Sequence, residues 1–426
     1  MIFEKLFCRP VESCRAILKG QFMRVVKGTI CGLFCVQSIA LSSQNGTGSL
    51  PARPGAWRTE VYFPLLQKKR VALVANPTST IGAVHLVDSL RKSGIKITRV
   101  FAPEHGFRGD AANGEKIKSG VDIKTGIPVV SLYGNHYKPT ARELHNVDVV
   151  VFDVQDVGVR FYTYLSTLHY VMQACAENCI QLLVLDRPNP NGYYLDGPIL
   201  EPEYKSMVGL HPIPLVHGMT LGELARMING EKWLGTRDSC KLTVIKVQNW
   251  HHNKKYIVPV APSPNLPTSE SITLYPTLGL LEGTPVSMGR GTSSPFECFG
   301  APWLKTGSYH FVPRNIPGKA TNPPWLGDTC RGILLSDFAR NYLPDFKHLY
   351  VEWFDLLLKQ CPDKNAFFTP FFDKLAGTAT LRKQLLSGMS ANEIRLSWKP
   401  GLETFYTQRA PYLLYPFDYN LGLQEE

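Results

Sequence analysis

Residues 148–164 read DVVVFDVQDVGVRFYTY. The apolar run at 148–152 stops at Asp153, Gln155 and Asp156, ahead of a helix predicted near 164–178. A short unbroken apolar run predicts a strand buried on both faces, as in a parallel sheet covered by helices. The unit recurs along the chain. Residues 71–75 end in Asn76-Pro77 and precede the amphipathic stretch 83–92. Residues 97–101 end in Ala102-Pro103-Glu104-His105-Gly106, residues 128–132 form a further run, and 181–185 end in Asp186-Arg187-Pro188-Asn189. This alternation predicts an α/β fold: a Rossmann-like, doubly wound parallel sheet with right-handed crossovers. Such sheets bind ligands outside the carboxyl ends of their strands. Asn76, Glu104, Asp153, Gln155 and Asp186 all fall at those ends.

The pattern changes after residue 215. Thr220 and Glu223 form a predicted capping box, which makes Thr220 a cap. From about residue 240 the chain is richer in proline and aromatics, which predicts a second, smaller α+β domain. The expected organisation is a leader over 1–43, a Gly/Ser/Pro linker over 44–64, a Rossmann-like domain over 65–238 and the α+β domain over 239–426.

Of 426 residues, 44% are hydrophobic and 19% charged, with a net charge of +11. The first 42 residues carry +4, and the remaining +7 is dispersed. Nucleic-acid binding needs a basic stripe or a recognisable module, and neither is visible; an anionic small molecule or polymer fits better. Residues 23–41, MRVVKGTICGLFCVQSIAL, have a basic start and an apolar run over 29–41, with small residues following. This is the pattern of a signal peptide, too short for a comfortable membrane span, and it predicts an exported chain, periplasmic or extracellular. Residues 1–22 read as an extension ahead of it, and no later stretch is long enough to span a membrane.

Ten cysteines fall to six beyond the leader: Cys175, Cys179, Cys240, Cys298, Cys330 and Cys361. Cys175 and Cys179 have metal-compatible spacing but no second pair nearby, so they read as core thiols; an oxidising compartment would let some of the six pair. His251-His252 lacks companions at ligand spacing and reads as a surface pair. There is no G-x-G-x-x-G, no P-loop and no G-x-S-x-G. No metal and no cofactor are expected.

The remaining signals suit sugar chemistry. Glu104 lies in APEHGFRG, where apolar neighbours would raise its pKa toward that of a general acid, while Arg108 or a protonated His105 would lower it. Residues 153–164 collect Asp153, Gln155, Asp156, Arg160, Tyr162 and Tyr164, groups that bond hydroxyls or stack on sugar rings. Asp186 and Asn189 sit in the rigid DRPNPNG turn, and His217 opens the next helix. In the second domain, Asn265 lies in PSPNLPT; Glu282 and Arg290 occupy glycine-bounded loops, where Arg290 suits a carboxylate clamp.

At these residues the chain resembles a known family. NPTS (76–79), APEHGFRG (102–109), SLYGNHYKPT (131–140), VFDVQDVGVRFYTY (151–164), DRPNPNG (186–192), HGMT (217–220) and LEGTPVSMGRGT (281–292) resemble the exo-β-N-acetylmuramidase NamZ family, in order, over nearly all of 65–426. The resemblance implies an exported bacterial glycoside hydrolase that releases N-acetylmuramic acid from non-reducing ends of peptidoglycan fragments, muropeptides or disaccharides. The site would lie between the two domains, with Glu104 as the acid. Asp153, Asp156 or Glu282 would activate water, act as nucleophile, or orient the 2-acetamido group; carboxylate separations of about 5–5.5 Å and about 6.5–9.5 Å would distinguish the first two roles' stereochemistry, retention from inversion. Arg160 or Arg290 would hold the lactyl carboxylate. The chain departs from the family at Gly192-Tyr193, where relatives commonly carry Gly-Gly. The rival readings are a non-catalytic sugar- or muropeptide-binding protein and a peptide amidase or esterase, the latter lacking a visible nucleophile or metal triad.

Overall fold

Among the described residues the central sheet has seven strands: β1 (Arg70–Ala75), β2 (Lys96–Ala102), β3 (Gly120–Val121), β4 (Pro128–Ser131), β5 (Val149–Asp153), β6 (Gln181–Leu185) and β7 (Lys241–Ile245). They run in the order β7-β6-β5-β1-β2-β4-β3, all parallel except the β3–β4 pair at one edge. The computed structural model describes residues 50–108 and 119–417. The predicted leader, 1–43, lies outside the described residues.

Strand periodicity sends alternate side chains to opposite faces. Val71, Leu73 and Ala75 of β1 join Val149 and Val151 of β5 in one core, closed by the helices α1 (Thr59–Leu66) and α2 (Leu86–Lys92). Ala72, Val74, Val150 and Phe152 face the other way, toward α3 (Tyr164–Glu177) and α4 (Leu221–Gly230). All five strands expected from the apolar runs are present. So is the capping box, with the Thr220 hydroxyl accepting from Glu223 N and the Glu223 carboxylate from Thr220 N.

Two expected boundaries are wrong. Residues 50–64 are not a loose linker: α1 buries Tyr62 and Leu66 completely, and Gly55 N donates to Asp186 O. The division at residue 238 falls before β7, whose Leu242 and Val244 pair with Leu182 and Val184 of β6. Beyond β7 the chain adds α5 (Ser269–Leu278), the antiparallel strands β8 (Cys298–Ala301), β9 (Tyr309–Phe311) and β10 (Cys330–Leu334), and further helices ending with α6 (Ala391–Arg409). This α+β part shares one continuous apolar core with the sheet, from Phe152 and Leu168 to Phe299, Phe354 and Leu402. The C-terminal segment returns to the sheet, where Tyr415 OH donates to Asp186 Oδ2 at 2.6 Å and Leu414 N to Glu223 Oε1 at 2.8 Å.

Candidate active site

Glu104 follows the carboxyl end of β2, where His105 (φ 70°) and Gly106 (φ 80°) turn the chain through the left-handed region. Holding a non-glycine residue there costs about 1 kcal/mol or more, so the turn is fixed by its surroundings. Thr163, the residue before α3, donates its hydroxyl to Glu104 Oε2 at 2.8 Å, and the Tyr133 hydroxyl bonds the same carboxyl group. Burial raises the Glu104 pKa, outweighing the lowering by Thr163, Tyr133 and the Arg290 charge. Burial, aided by Arg290, lowers the His105 pKa to about 4, so at neutral pH its imidazole carries no charge.

The loop after α5 brings the second group. Arg290 Nη1 lies 3.7 Å from Glu282 Oε2, and the guanidinium stands over the Phe296 ring at 5.6 Å. Burial raises the Glu282 pKa first; Arg290 lowers it and the Glu104 charge raises it. Glu104 and Glu282, 178 positions apart in sequence, therefore share one electrostatic environment with Arg290. Glu104, Tyr133, Thr163, Glu282 and Arg290 all keep partial exposure. A carboxylic acid with its pKa raised, a second carboxyl and a guanidinium, all partly exposed, can protonate a leaving oxygen and hold an anion.

Most of the other predicted residues are committed to the fold. Asp153, fully buried, takes Arg187 Nε at 2.6 Å and Nη2 at 2.9 Å on its two oxygens, so it braces the β5 and β6 tips rather than facing a ligand. Asp156 accepts from Gly158 N at 2.6 Å and lies 3.9 Å from His217 Nε2; burial pushes its pKa up to about 7 and that of His217 down to about 3. Arg160 is not a lactyl clamp. Its guanidinium donates to the carbonyls of Pro198, Ile213, Leu375 and Ala376, tying the sheet layer to the α+β part. Arg108 is occupied by Asp122 and Asp88. Asp186 accepts from Thr220 Oγ1, Gly222 N and Tyr415 OH. Gln155 donates to the carbonyls of Asp156 and Pro188, Asn189 to Met219 O, and Asn265 to Lys319 O. The amide donors of Gln155, Asn189 and Asn265 are thus taken up by backbone carbonyls, as buried donors generally are.

Asn76, Tyr162 and Tyr164 lie behind the site. Asn76 Nδ2 donates to Tyr164 OH at 2.9 Å, and Tyr164 OH lies 3.3 Å from Glu104 O. Tyr162 OH donates to Pro262 O at 2.8 Å. Tyr164, held by Asn76, supports the loop that carries Glu104, and Tyr162 packs edge-on against Tyr164. His252, expected at the surface, is buried against Glu223 at 3.1 Å, while His251 is exposed. Cys179 lies beyond the end of α3, so it does not share a helix face with Cys175. Among the described residues no group of three or more His, Cys, Asp or Glu is arranged to hold a metal.

Sequence reasoning missed Tyr133 and Thr163. Thr163 sits one residue before the predicted helix, a capping position that could have drawn notice; Tyr133 follows the third apolar run, at a strand end like the others. Tyr193, where the chain departs from the family, does not touch this site. It lines a separate cavity of about 210 Å³ with Pro190, Tyr256 and Ile272. Tyr275 of α5 instead packs against Phe161, Tyr162 and Phe296.

Residues 71–270 match the family described as Exo-beta-N-acetylmuramidase NamZ, N-terminal, and residues 273–415 its C-terminal counterpart. The chain is 40% identical over 413 residues to the Peptidoglycan beta-N-acetylmuramidase NamZ of Bacillus subtilis (strain 168), covering 90% of this chain and 96% of that protein. Two crystal structures of DUF1343 family proteins from Bacteroides fragilis NCTC 9343 are similar. One is 44% identical with a TM-score of 0.81, covering 87% of this chain and 100% of the other. The second is 29% identical with a TM-score of 0.74, covering 86% and 99%.

Proposed function

The chain belongs to the exo-β-N-acetylmuramidase NamZ family, and from that premise we propose that it hydrolyses the bond holding a non-reducing terminal, β-1,4-linked N-acetylmuramic acid in peptidoglycan fragments. Glu104 is the general acid that protonates the leaving oxygen. The observation that carries the assignment is its partly exposed carboxyl, bonded by Thr163 and Tyr133, with a pKa raised by burial. A raised pKa favours the protonated form, as a general acid requires.

Glu282 is the second carboxylate in this reading. Of the three candidates, Asp153 is bound to Arg187 and Asp156 is buried against backbone, whereas Glu282 is partly exposed and within the influence of Glu104. Arg290 binds the lactyl carboxylate that distinguishes muramic acid. Its fork of donors suits a carboxylate, and its charge restrains the pKa of both acids. The chain acts after export, as the leader pattern at 23–41 suggests.

The test is mass spectrometry of the products formed from a defined disaccharide with muramic acid at its non-reducing end. Release of the free sugar by the wild type, loss of release in Glu104→Gln and retained ligand binding by that variant would support the assignment. Retained turnover near the wild-type rate in Glu104→Gln would reject Glu104 as the acid, and binding without hydrolysis by the wild type would point to a sugar-binding protein.

A further inference from the structure

Two of the buried thiols are brought together by the sheet register. Lys241, the first residue of β7, pairs with Gln181, the first residue of β6. Ile180, one residue before β6, donates its N–H back to Cys175 O at 2.9 Å. Cys240, one residue before β7, is thereby set beside the last turns of α3. Asn229 of α4 fixes it from both sides, accepting from Cys240 N at 3.0 Å and donating to Cys240 O at 2.8 Å. The Cys175 thiol interacts with that of Cys240 within the core, and the two residues are 1% and 4% exposed. Both are free in this structure.

The other cysteines have different settings. Cys179 is exposed, Cys361 Sγ donates to Asp363 O, and Cys298 Sγ to Ser294 O. Cys298 pairs with Leu334 across β8 and β10, four residues along β10 from Cys330.

We propose that Cys175 and Cys240 are a disulfide-forming pair, joined when the chain folds in the presence of a thiol oxidant of the disulfide class. In that step the two thiols form one S–S bond, losing two protons and two electrons, and the oxidant's disulfide is reduced to two thiols. Burial makes the folded dithiol slow to react, so the bond forms during folding rather than afterwards. The bridge would fasten the end of α3 to the edge strand β7 and close the loop between residues 175 and 240. The other end of α3 adjoins Thr163, the hydroxyl partner of Glu104, so the cross-link steadies the helix that positions that partner.

The test refolds the full chain from urea in a glutathione redox buffer and, in parallel, with excess dithiothreitol. The expected oxidised product is lighter by about 2 Da and yields a Cys175–Cys240 peptide in a non-reducing digest. Cys175→Ala and Cys240→Ala each abolish that peptide, and the oxidised wild type loses its fold on heating severalfold more slowly than the reduced form. Native protein recovered from the redox buffer with both thiols still open to alkylation after unfolding would overturn the proposal, as would a dominant link such as Cys298–Cys330. The wild-type peptide map decides even if a variant does not fold, and it reads the same whether or not the chain hydrolyses muramic acid glycosides.

Discussion

Asp153 and Glu104 are both acidic residues at the tips of parallel strands that flank β1, yet their surroundings differ. Asp153 closes β5, has no exposure, and places both oxygens on the Arg187 guanidinium. Glu104 lies two residues beyond β2, keeps part of its surface, and is met by the hydroxyls of Thr163 and Tyr133. A bidentate, buried ion pair commits its carboxylate to the guanidinium and keeps it inaccessible. Hydroxyl partners leave burial to dominate, and the proton stays on more readily. The switch point of this sheet is thus braced by a structural pair, while the group suited to acid chemistry stands two strands away.

The most severe way to probe this contrast is Glu104→Gln, which keeps shape and removes the proton. The expected loss in kcat is about 10²- to 10⁴-fold, measured by release of free muramic acid, with the unfolding midpoint nearly unchanged. Asp153→Ala should do the reverse. It leaves Arg187 buried without its partner and should cost about 3–5 kcal/mol of stability, read by urea unfolding, while kcat per folded molecule changes little. A Glu104 variant that unfolds, or an Asp153 variant that is stable but inactive, would break the comparison.

Arg290→Gln sharpens it. Losing a charged hydrogen bond to the ligand, worth about 1.5–3 kcal/mol, should raise KM roughly tenfold to a hundredfold. Arg290 lowers the pKa of Glu104, so its removal raises that pKa further. The protonated acid then survives to higher pH, and the alkaline limb of the kcat/KM profile should move upward; a downward move would contradict the assignment. Tyr133→Phe is the mildest change. Loss of one hydrogen bond, about 1 kcal/mol, predicts roughly a fivefold decrease in kcat/KM. Its alkaline limb should shift the same way as in Arg290→Gln, because the Tyr133 bond also lowers the Glu104 pKa.

The sheet was legible because its strands are encoded locally. The runs at 71–75, 97–101, 128–132, 148–152 and 181–185 each carry their own apolar signal, and all are strands of the sheet. β7 was harder to read. Its sequence KLTVI is only half-buried at an edge, so its pattern resembled the start of another domain. The segment 50–64 looked like linker because its glycine and prolines obscured the Tyr62 and Leu66 stripe of α1.

Sequence alone determined which residues stand at strand ends, that Thr220 caps a helix, and that APEHGFRG and LEGTPVSMGRGT carry the family's pattern. Only the tertiary structure decided which polar residues are free to meet a ligand. Arg187 lies 34 positions from Asp153, and Leu375 and Ala376 more than 200 from Arg160. A side chain's chemistry depends on what stands across from it in space, and partners that far apart along the chain leave no trace in the local pattern around either one.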